Sequence, residues 1–206
     1  MGKFVVLASA SPRRRDFLES AGYDVLCDVS GADELEATDG DASELALENA
    51  RRKVSVVAAR HPGAIVIAAD TVVAMDGEFF GKPANDEHAV EMLSRLSGRT
   101  HEVVTGVVLV VAGVWSEFAE STRVTFHDLE ESGWRNYVRA VPVLDKAGAY
   151  AAQGDGGRII ARMEGSVSNV IGLPMERLER ELARLFECSS ETGGRNHRDQ
   201  ILKTRL

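Results

Sequence analysis

Apolar residues recur along the chain in two spacings, and each spacing predicts one kind of secondary structure. Apolar runs predict buried strands at residues 4–7 and 64–69, and a long β-like run over residues 103–111 predicts another. Apolar residues three and four positions apart predict helices, in the stretch with Leu47, Ala50, Val54 and Val57 and in residues 87–96. Strands and helices alternate near both ends of the chain, and long β-like runs lie in its middle. This order predicts an α/β fold with a mixed sheet.

Turn and capping residues set the expected boundaries of these elements. Asp41 precedes the second helix with capping-box spacing, and Ser11-Pro12 is a typical start for the first. The apolar strand of residues 64–69 should end at Asp70, and two middle strands should pair antiparallel through a turn near Gly113. We expect one domain over residues 1–187, followed by a polar, flexible tail over residues 188–206.

Composition and charge narrow the function classes. The chain has 206 residues, enough for a sizeable core, and a net charge of −8. An acidic protein is poorly suited to nonspecific binding of nucleic acid polymers or anionic membranes, so we expect neither partner. The two cysteines match no metal-binding spacing, and no secretory signal or membrane span is visible. We therefore expect a cytoplasmic protein with reduced thiols.

The most basic segment, residues 9–15, lies where a predicted strand turns into a helix. Its two hydroxyl side chains and three guanidinium groups could bind phosphate oxygens at the helix N-terminus. A solvated basic turn with ordinary capping remains the alternative.

Asp70 directly follows an apolar strand, which places it where open α/β sheets bind ligands. A carboxylate at that edge could hold Mg²⁺ or accept a proton from water. An Asp that only caps the following turn is the competing interpretation.

Other polar residues are weaker candidates when each is taken alone. Lys53 lies beside the apolar face of its helix, and Lys82 lies between Gly81 and Pro83, yet both could be surface lysines. Glu34 belongs to an acidic run that could be a solvated loop. Gln153 lies in a glycine-rich segment and offers both a donor and an acceptor for a base edge.

Motifs of several other enzyme classes are missing from the sequence. It contains no Gly-x-Ser-x-Gly elbow, no His-Glu-x-x-His motif and no cysteine pair for zinc. The five histidines are scattered and are interpreted as surface or structural residues.

Taken together, several short segments resemble the Maf family of nucleotide pyrophosphatases, and they occur in the family's order. The matching segments are residues 7–14 (LASASPRR), 48–53 (ENARRK), 69–73 (ADTVV), 81–83 (GKP), 96–101 (LSGRTH), 145–150 (DKAGAY) and 165–174 (GSVSNVIGLP). The resemblance implies an inosine-triphosphatase-like fold, with a long mixed sheet in two lobes and a cleft between them. It also implies hydrolysis of nucleoside triphosphates to monophosphates and pyrophosphate with Mg²⁺ or Mn²⁺, and a homodimer.

The same resemblance implies roles for nine residues. Asp70 matches the proton acceptor of the family, and Asp70 and Glu34 match acidic positions near the metal. The positions matched to substrate choice are Arg13, Thr71 and Gln153. The positions matched to phosphate contacts are Ser9, Arg14, Lys53 and Lys82. Residues 150–154 resemble the branch that acts on dTTP and UTP, although Ala151-Ala152 and the third arginine depart from the usual pattern.

Two other functions remain open from the sequence. One is a nucleotide-binding regulator of cell division with little turnover. The other is an α/β domain that binds phosphosugars and needs no residue to read a base.

Overall fold

The computed structural model describes residues 3–36 and 39–187, without the side chains of residues 155 and 156. Within those ranges the strands are β1 (Lys3–Leu7), β2 (Tyr23–Cys27), β3 (Val66–Met75), β4 (Glu78–Phe80), β5 (Thr100–Val111), β6 (Val114–Phe126) and β7 (Ile160–Glu164). The helices are α1 (Pro12–Ser20), α2 (Ala42–Arg60), α3 (Asp86–Leu96), α4 (Glu131–Ala140), α5 (Val167–Ile171) and α6 (175–187). Short 3₁₀ turns lie at Ala147–Ala149 and Gly154–Ile159.

The strands form one mixed sheet in the order β2-β1-β3-β5-β6-β7, with β4 paired to the end of β3. β1 pairs in parallel with β2 and β3, whereas β3, β5, β6 and β7 pair antiparallel. Helices α1 and α2 make the crossovers that parallel neighbours require. The predicted α/β fold, a long mixed sheet flanked by helices, is confirmed.

One edge of β3 changes partner along its length. Its first residues, Val66 and Ile67, pair with β1, and its last three, from Val73 to Met75, pair with β4. Among the described residues, no strand pairs with this edge between positions 68 and 72, although the other edge pairs with β5 throughout. The sheet therefore opens on one side of β3, and Asp70 lies in the middle of that opening.

Three apolar clusters hold the layers together. Helix α2 packs on one face of the sheet, and its cluster includes Val54, Val57, Ala68 and Val108. Helices α1 and α6 pack on the opposite face, with Leu18, Leu178, Ile67 and Val107. Helices α3 and α4 cover the far end of the sheet, with Leu93, Trp134, Val73 and Val103. No helix in the described ranges has both the length and the apolar character to cross a membrane.

A polar seam separates the last two clusters. The half of the molecule with α1 and α6 is called the first lobe, and the half with α3 and α4 is called the second lobe. Thr71 and Thr105 bond to each other through their hydroxyl oxygens at 3.0 Å, and Thr105 donates to the carbonyl of Asn169 at 3.2 Å. Asn169 is fully buried and donates to the backbone carbonyl of Val103 at 2.9 Å. These polar residues interrupt the apolar packing at the level of the opening beside β3.

The expected end of the third strand is wrong. The sequence predicts that the strand of residues 64–69 ends at Asp70, but β3 continues through Asp70 to Met75. The reason is the long antiparallel pairing with β5, in which Asp70 lies opposite Gly106. The predicted pairing through Gly113 is confirmed, with β6 starting at Val114. The predicted tail, residues 188–206, lies outside the described residues.

A cluster of aromatic side chains around a buried histidine lies within the second lobe. His101 is 1% exposed, bonds the Tyr150 hydroxyl through Nε2 at 3.0 Å, and contacts Phe126 edge-on. Its Nδ1 has no hydrogen-bond partner among the described residues. Burial lowers the pKa of His101 from 6.5 to about 4, so the ring stays neutral near pH 7.

This buried histidine should make stability depend on pH below neutrality. The unfolded chain protonates His101 near pH 6.5, but the folded protein resists protonation until about pH 4. Folding free energy is therefore lost as pH falls from 6.5 to 4, by about 3 kcal/mol. Urea unfolding across this window should give a steeper decline for the wild type than for His101→Gln. Parallel pH curves for the two proteins would contradict the assignment, whatever their offset at pH 7.

Candidate active site

A cleft of about 1080 Å³ opens where β3 loses its neighbour, and both lobes contribute to its walls. The nine residues predicted for the site all line this cleft: Ser9, Arg13, Arg14, Glu34, Lys53, Asp70, Thr71, Lys82 and Gln153. They come from the loop after β1, helix α1, the loop after β2, helix α2, strand β3, the loop after β4 and the loop before Gly154–Ile159. The structure thus assembles residues that are up to 144 positions apart in sequence.

Helix α2 reaches the cleft because a glycine faces it. A β-carbon at Gly106 would lie 2.5 Å from the backbone carbonyl carbon of Ala46 and 2.5 Å from the nitrogen of Leu47. Only the missing side chain allows the helix backbone this close to β5. Since Gly106 pairs with Asp70, the helix descends directly beside the carboxylate.

Both carboxylate oxygens of Asp70 are held from helix α2. Lys53 Nζ donates to Oδ1 at 2.7 Å, and Asn49 Nδ2 donates to Oδ2 at 3.1 Å. The two donors are four residues apart on α2, so they project from the same face of the helix. The side chain of Asp70 keeps 14% exposure toward the cleft, while that of Lys53 keeps 10%.

Glu34 contacts the same ammonium group as Asp70. Lys53 Nζ lies 2.6 Å from Glu34 Oε1, and Lys82 Nζ lies 3.8 Å from Oε2. Desolvation alone would raise the pKa of Glu34, but the hydrogen bond and charge of Lys53, with Lys82 and Arg14, lower it below the usual value. Glu34 is therefore a carboxylate at neutral pH.

Arg14 ties helix α1 to the seam between the lobes. Its guanidinium donates to Gly172 O at 2.8 Å, Thr71 Oγ1 at 3.1 Å and Ser9 Oγ at 3.2 Å. Gly172 adopts a φ of 118°, a conformation that favours glycine. Desolvation lowers the pKa of Arg14, and the nearby charge of Asp70 partly offsets this effect. Its direct partners are neutral oxygens, so an anion in the cleft would still gain from its charge.

The start of α1 differs from the expected cap. Ser11 occupies the N-cap position, but its hydroxyl makes no capping hydrogen bond. Instead, the Oγ of Ser9 accepts from the backbone N–H of Ser11 at 3.1 Å as well as from Arg14. Ser9, rather than Ser11, is therefore the side chain that bonds the backbone at the start of α1.

Arg13 reaches across the mouth of the cleft. Its Nη1 donates to Asp145 Oδ2 in the second lobe at 3.1 Å. Desolvation raises the pKa of Asp145, but the hydrogen bonds from Lys146 and Arg13 outweigh it and lower the pKa overall. The pair links the lobes at a partly exposed position, so its energetic contribution is small.

Gln153 projects from the loop that forms the far wall. It lies at the start of the 3₁₀ turn Gly154–Ile159 and makes no capping bond to it. The Tyr137 hydroxyl accepts from the backbone N–H of Ala151 at 3.0 Å and donates to its carbonyl at 3.4 Å. Gly148, with a φ of 71°, starts the turn that leads into this loop. Tyr137 therefore anchors this loop at Ala151, two residues before Gln153.

The acidic groups fit a cation that is shared with a phosphate ligand. Among the described residues, no group of three or more His, Cys, Asp or Glu side chains could hold a metal. Asp70 and Glu34 supply two carboxylates around the ammonium of Lys53. Mg²⁺ commonly uses one or two carboxylates and completes its shell with substrate phosphates and water.

Comparison with known proteins identifies the family of this chain. A family model described as Maf-like protein matches residues 4–185. A dTTP/UTP pyrophosphatase of Myxococcus xanthus is 52% identical over 174 residues, which cover 83% of this chain and 87% of that protein. A Bacillus cereus protein of the same name is 41% identical and covers 87% of this chain and 89% of its own length. The chain belongs to the Maf family.

Structural comparison gave a weaker likeness for this Maf chain. The Staphylococcus aureus Ham1 protein matches with a TM-score of 0.49 and 20% identity, covering 91% of this chain and 100% of that one.

The sequence did not predict a role for two residues that shape this Maf site. Asn49 lies in the segment of residues 48–53 that resembles the family, and its spacing of four residues from Lys53 was the signal that the sequence offered. Gly106 lies in an apolar strand, and nothing in the local sequence tells that a helix backbone touches it. Its role depends on tertiary packing.

The close contact at Gly106 gives a prediction about stability. Gly106→Ala forces α2 away from the sheet, because the new methyl group would meet backbone atoms rather than a flexible side chain. We expect a loss of about 2 kcal/mol or more in the free energy of unfolding, measured by urea titration.

Gly133→Ala is the matched control. Gly133 lies within α4, and its added β-carbon would meet only Leu129 side-chain atoms at 3.4 Å or more. Since Ala favours helices over Gly, this variant should be as stable as the wild type or more so. Equal stability of Gly106→Ala and Gly133→Ala would contradict the packing argument.

Proposed function

We propose that this chain hydrolyses dTTP and UTP to the nucleoside monophosphate and pyrophosphate. The observation that carries the proposal is that Asp70 and four cationic side chains line the same cleft. Membership of the Maf family supports the reaction class, and the names of the relatives at 52% and 41% identity support the substrates. The enzyme is thus a hydrolase of the α–β phosphoanhydride bond.

The triphosphate binds along the cationic wall of the cleft. Ser9 and Arg14 take phosphate oxygens at the start of α1, and Lys53 and Lys82 take them from the opposite side. Arg14 is the natural first anchor, because its present partners are neutral oxygens. Neutralising the polyanion is the main requirement of phosphoryl transfer, since most of the developing charge lies on phosphate oxygens.

Asp70 accepts the proton of the attacking water. Water attacks the α-phosphorus, the bond to the α–β bridging oxygen breaks, and pyrophosphate leaves in line. Asn49 holds Oδ2 of the Asp70 carboxylate, so the free lone pairs of the group keep a constant direction, and Lys53 bonds Oδ1 before a cation enters. A proton acceptor needs such a fixed position more than it needs a special environment.

Asp70 and Glu34 would hold a divalent cation, Mg²⁺ or Mn²⁺, beside the bound phosphates. Such an ion supplies positive charge that stabilises the departing pyrophosphate. Lys53 now lies between these carboxylates at 2.6 and 2.7 Å, so it must share or leave this position when the ion enters.

Base selection is assigned to Arg13, Thr71 and Gln153. Gln153 can donate to and accept from a pyrimidine edge, and its loop is anchored by Tyr137. Thr71 bonds Arg14, and Arg13 bonds Asp145 across the cleft mouth. All three residues line the cleft, which supports a contact with the bound nucleotide.

The assembly and location belong to the same proposal. We assign a homodimer in the cytoplasm, with one domain over residues 1–187 in each subunit. The nine site residues line a cleft within a single chain, so each subunit carries a full set.

A nucleotide-binding regulator with little turnover is not favoured. A regulator of this kind would need no proton acceptor in its site, whereas the carboxylate of Asp70 lies beside Lys53 within the cleft. A phosphosugar-binding domain would leave the anchored loop of Gln153 without a role.

Product identification tests the proposed reaction. With Mg²⁺, the protein should convert UTP and dTTP faster than ATP, GTP and CTP, and it should release pyrophosphate. Orthophosphate should therefore appear only after inorganic pyrophosphatase is added. EDTA should abolish turnover and excess Mg²⁺ should restore it. Direct release of orthophosphate without the added pyrophosphatase would reject the reaction.

Asp70→Asn tests the proton acceptor. The amide is nearly isosteric but cannot take a proton, so kcat for UTP should fall roughly 100- to 10,000-fold. Asp76→Asn is the matched control, because Asp76 lies one residue beyond β3 and outside the cleft, paired with Arg99. The control should retain wild-type kcat. Wild-type turnover in a folded Asp70→Asn protein would remove Asp70 from the mechanism.

A further inference from the structure

A buried asparagine connects the catalytic strand with the loop that carries Glu34. Asn49 is 4% exposed and lies on the inner face of α2. Its Oδ1 accepts from the backbone N–H of Leu35 at 2.7 Å. Its Nδ2 donates to the carbonyl of Leu35 at 3.2 Å and to Asp70 Oδ2 at 3.1 Å. The amide group is therefore fully engaged by one residue of the loop and one of the strand.

The surroundings require an amide at this position. The backbone of Leu35 presents one donor and one acceptor, and Asp70 presents a second acceptor. A carboxamide offers two N–H donors and one carbonyl acceptor on a single planar group, which matches that demand. An aspartate would lack both donors and would bring a second carboxylate to 3.1 Å from Asp70.

Within the described part of the chain, few other side chains bond the backbone of this loop. Glu34 and Leu35 lie on an irregular segment after β2, and Leu35 is 39% exposed. Arg60 holds the start of this segment through the carbonyls of Val29 and Ser30, both at 3.2 Å. Asn49 holds its far part, directly next to Glu34.

We propose that Asn49 is a positioning residue that sets the distance between Glu34 and Asp70, and so shapes the pocket for the cation and the triphosphate. The inference rests on the proposed function, since it assigns Glu34 and Asp70 to that reaction. Lys53 attracts the same two carboxylates by charge, but it must move or share its place when a cation binds. The side chain of Asn49 carries no charge and bonds the backbone of the loop at Leu35. It can therefore keep the two carboxylates in place while a cation binds.

Two variants separate the contact with the loop from the contact with Asp70. Asn49→Ala removes every hydrogen bond of the amide. Asn49→Asp keeps the acceptor for the Leu35 N–H but loses the donors to Asp70 and to the Leu35 carbonyl. Asn136→Ala and Asn136→Asp are matched controls, because Asn136 is an exposed helical asparagine on α4. Thermal unfolding and far-UV circular dichroism identify variants that keep the fold.

Three measurements follow each folded variant. Amide hydrogen exchange of Leu35 reports the loop, and kcat and KM for UTP report the reaction. A titration of Mn²⁺ into protein saturated with α,β-methylene-UTP reports the cation pocket without turnover. In Asn49→Ala, we expect faster exchange at Leu35 and a fall of about 10- to 100-fold in kcat and in Mn²⁺ affinity. In Asn49→Asp, we expect Leu35 to stay protected while kcat falls at least as far.

A purely structural asparagine would give a different pattern. Asn49→Asp would then keep its kcat, since its shape and its bond to the Leu35 N–H are preserved. A kcat within twofold of the wild type in folded Asn49→Asp therefore overturns the proposal, as does unchanged Leu35 exchange in Asn49→Ala. If the wild type itself releases no pyrophosphate, the proposed function fails instead. The Leu35 exchange and the Mn²⁺ titration then still decide whether Asn49 positions the two carboxylates.

Discussion

The contact between helix α2 and strand β5 at Gly106 is the constraint on which the whole site depends. With no side chain at Gly106, the helix backbone lies close enough for Asn49 and Lys53 to reach Asp70. Any β-carbon there would push the helix outward and lengthen both hydrogen bonds. The geometry of a charged cluster is thus set by an apolar contact, which is far less sensitive to salt and solvent than the charges themselves.

Helix α2 contacts Asp70 at the opening in the sheet. Strand β3 pairs with β5 along its length, but its other edge changes from β1 to β4 and leaves the segment around Asp70 open. A ligand can approach the strand there without breaking the ladder with β5. On the reverse face, the seam of Thr71, Thr105 and Asn169 separates the two apolar clusters. The lobes therefore meet through hydrogen bonds at the level of the opening beside β3.

Sequence reasoning succeeded where local pattern and motif order carry the information. Alternating elements predicted the mixed sheet, and the ordered motifs predicted nine residues that share the cleft. It failed where the answer depends on partners distant in sequence. Strand β3 was expected to end at Asp70, because a polar residue after an apolar run is typical of a strand end. Pairing with β5 carries the strand onward. The roles of Asn49 and Gly106 were not predicted for the same reason, since each acts through a tertiary contact.

Charge balance explains how an acidic protein can hold a polyanion. Lys53 is offset by Glu34 and Asp70, and Arg13 is offset by Asp145, so these cations are already paired before a ligand arrives. Arg14 differs, because its hydrogen bonds go to neutral oxygens and its charge is opposed mainly by the more distant Asp70. A triphosphate entering the cleft therefore gains most at Arg14, and it must compete with protein carboxylates for the other cations. Under the proposed function, a divalent ion held by Asp70 and Glu34 would remove that competition, since Lys53 would then be free to turn toward phosphate. On this argument, cation and nucleotide favour each other's binding because they exchange partners around one lysine.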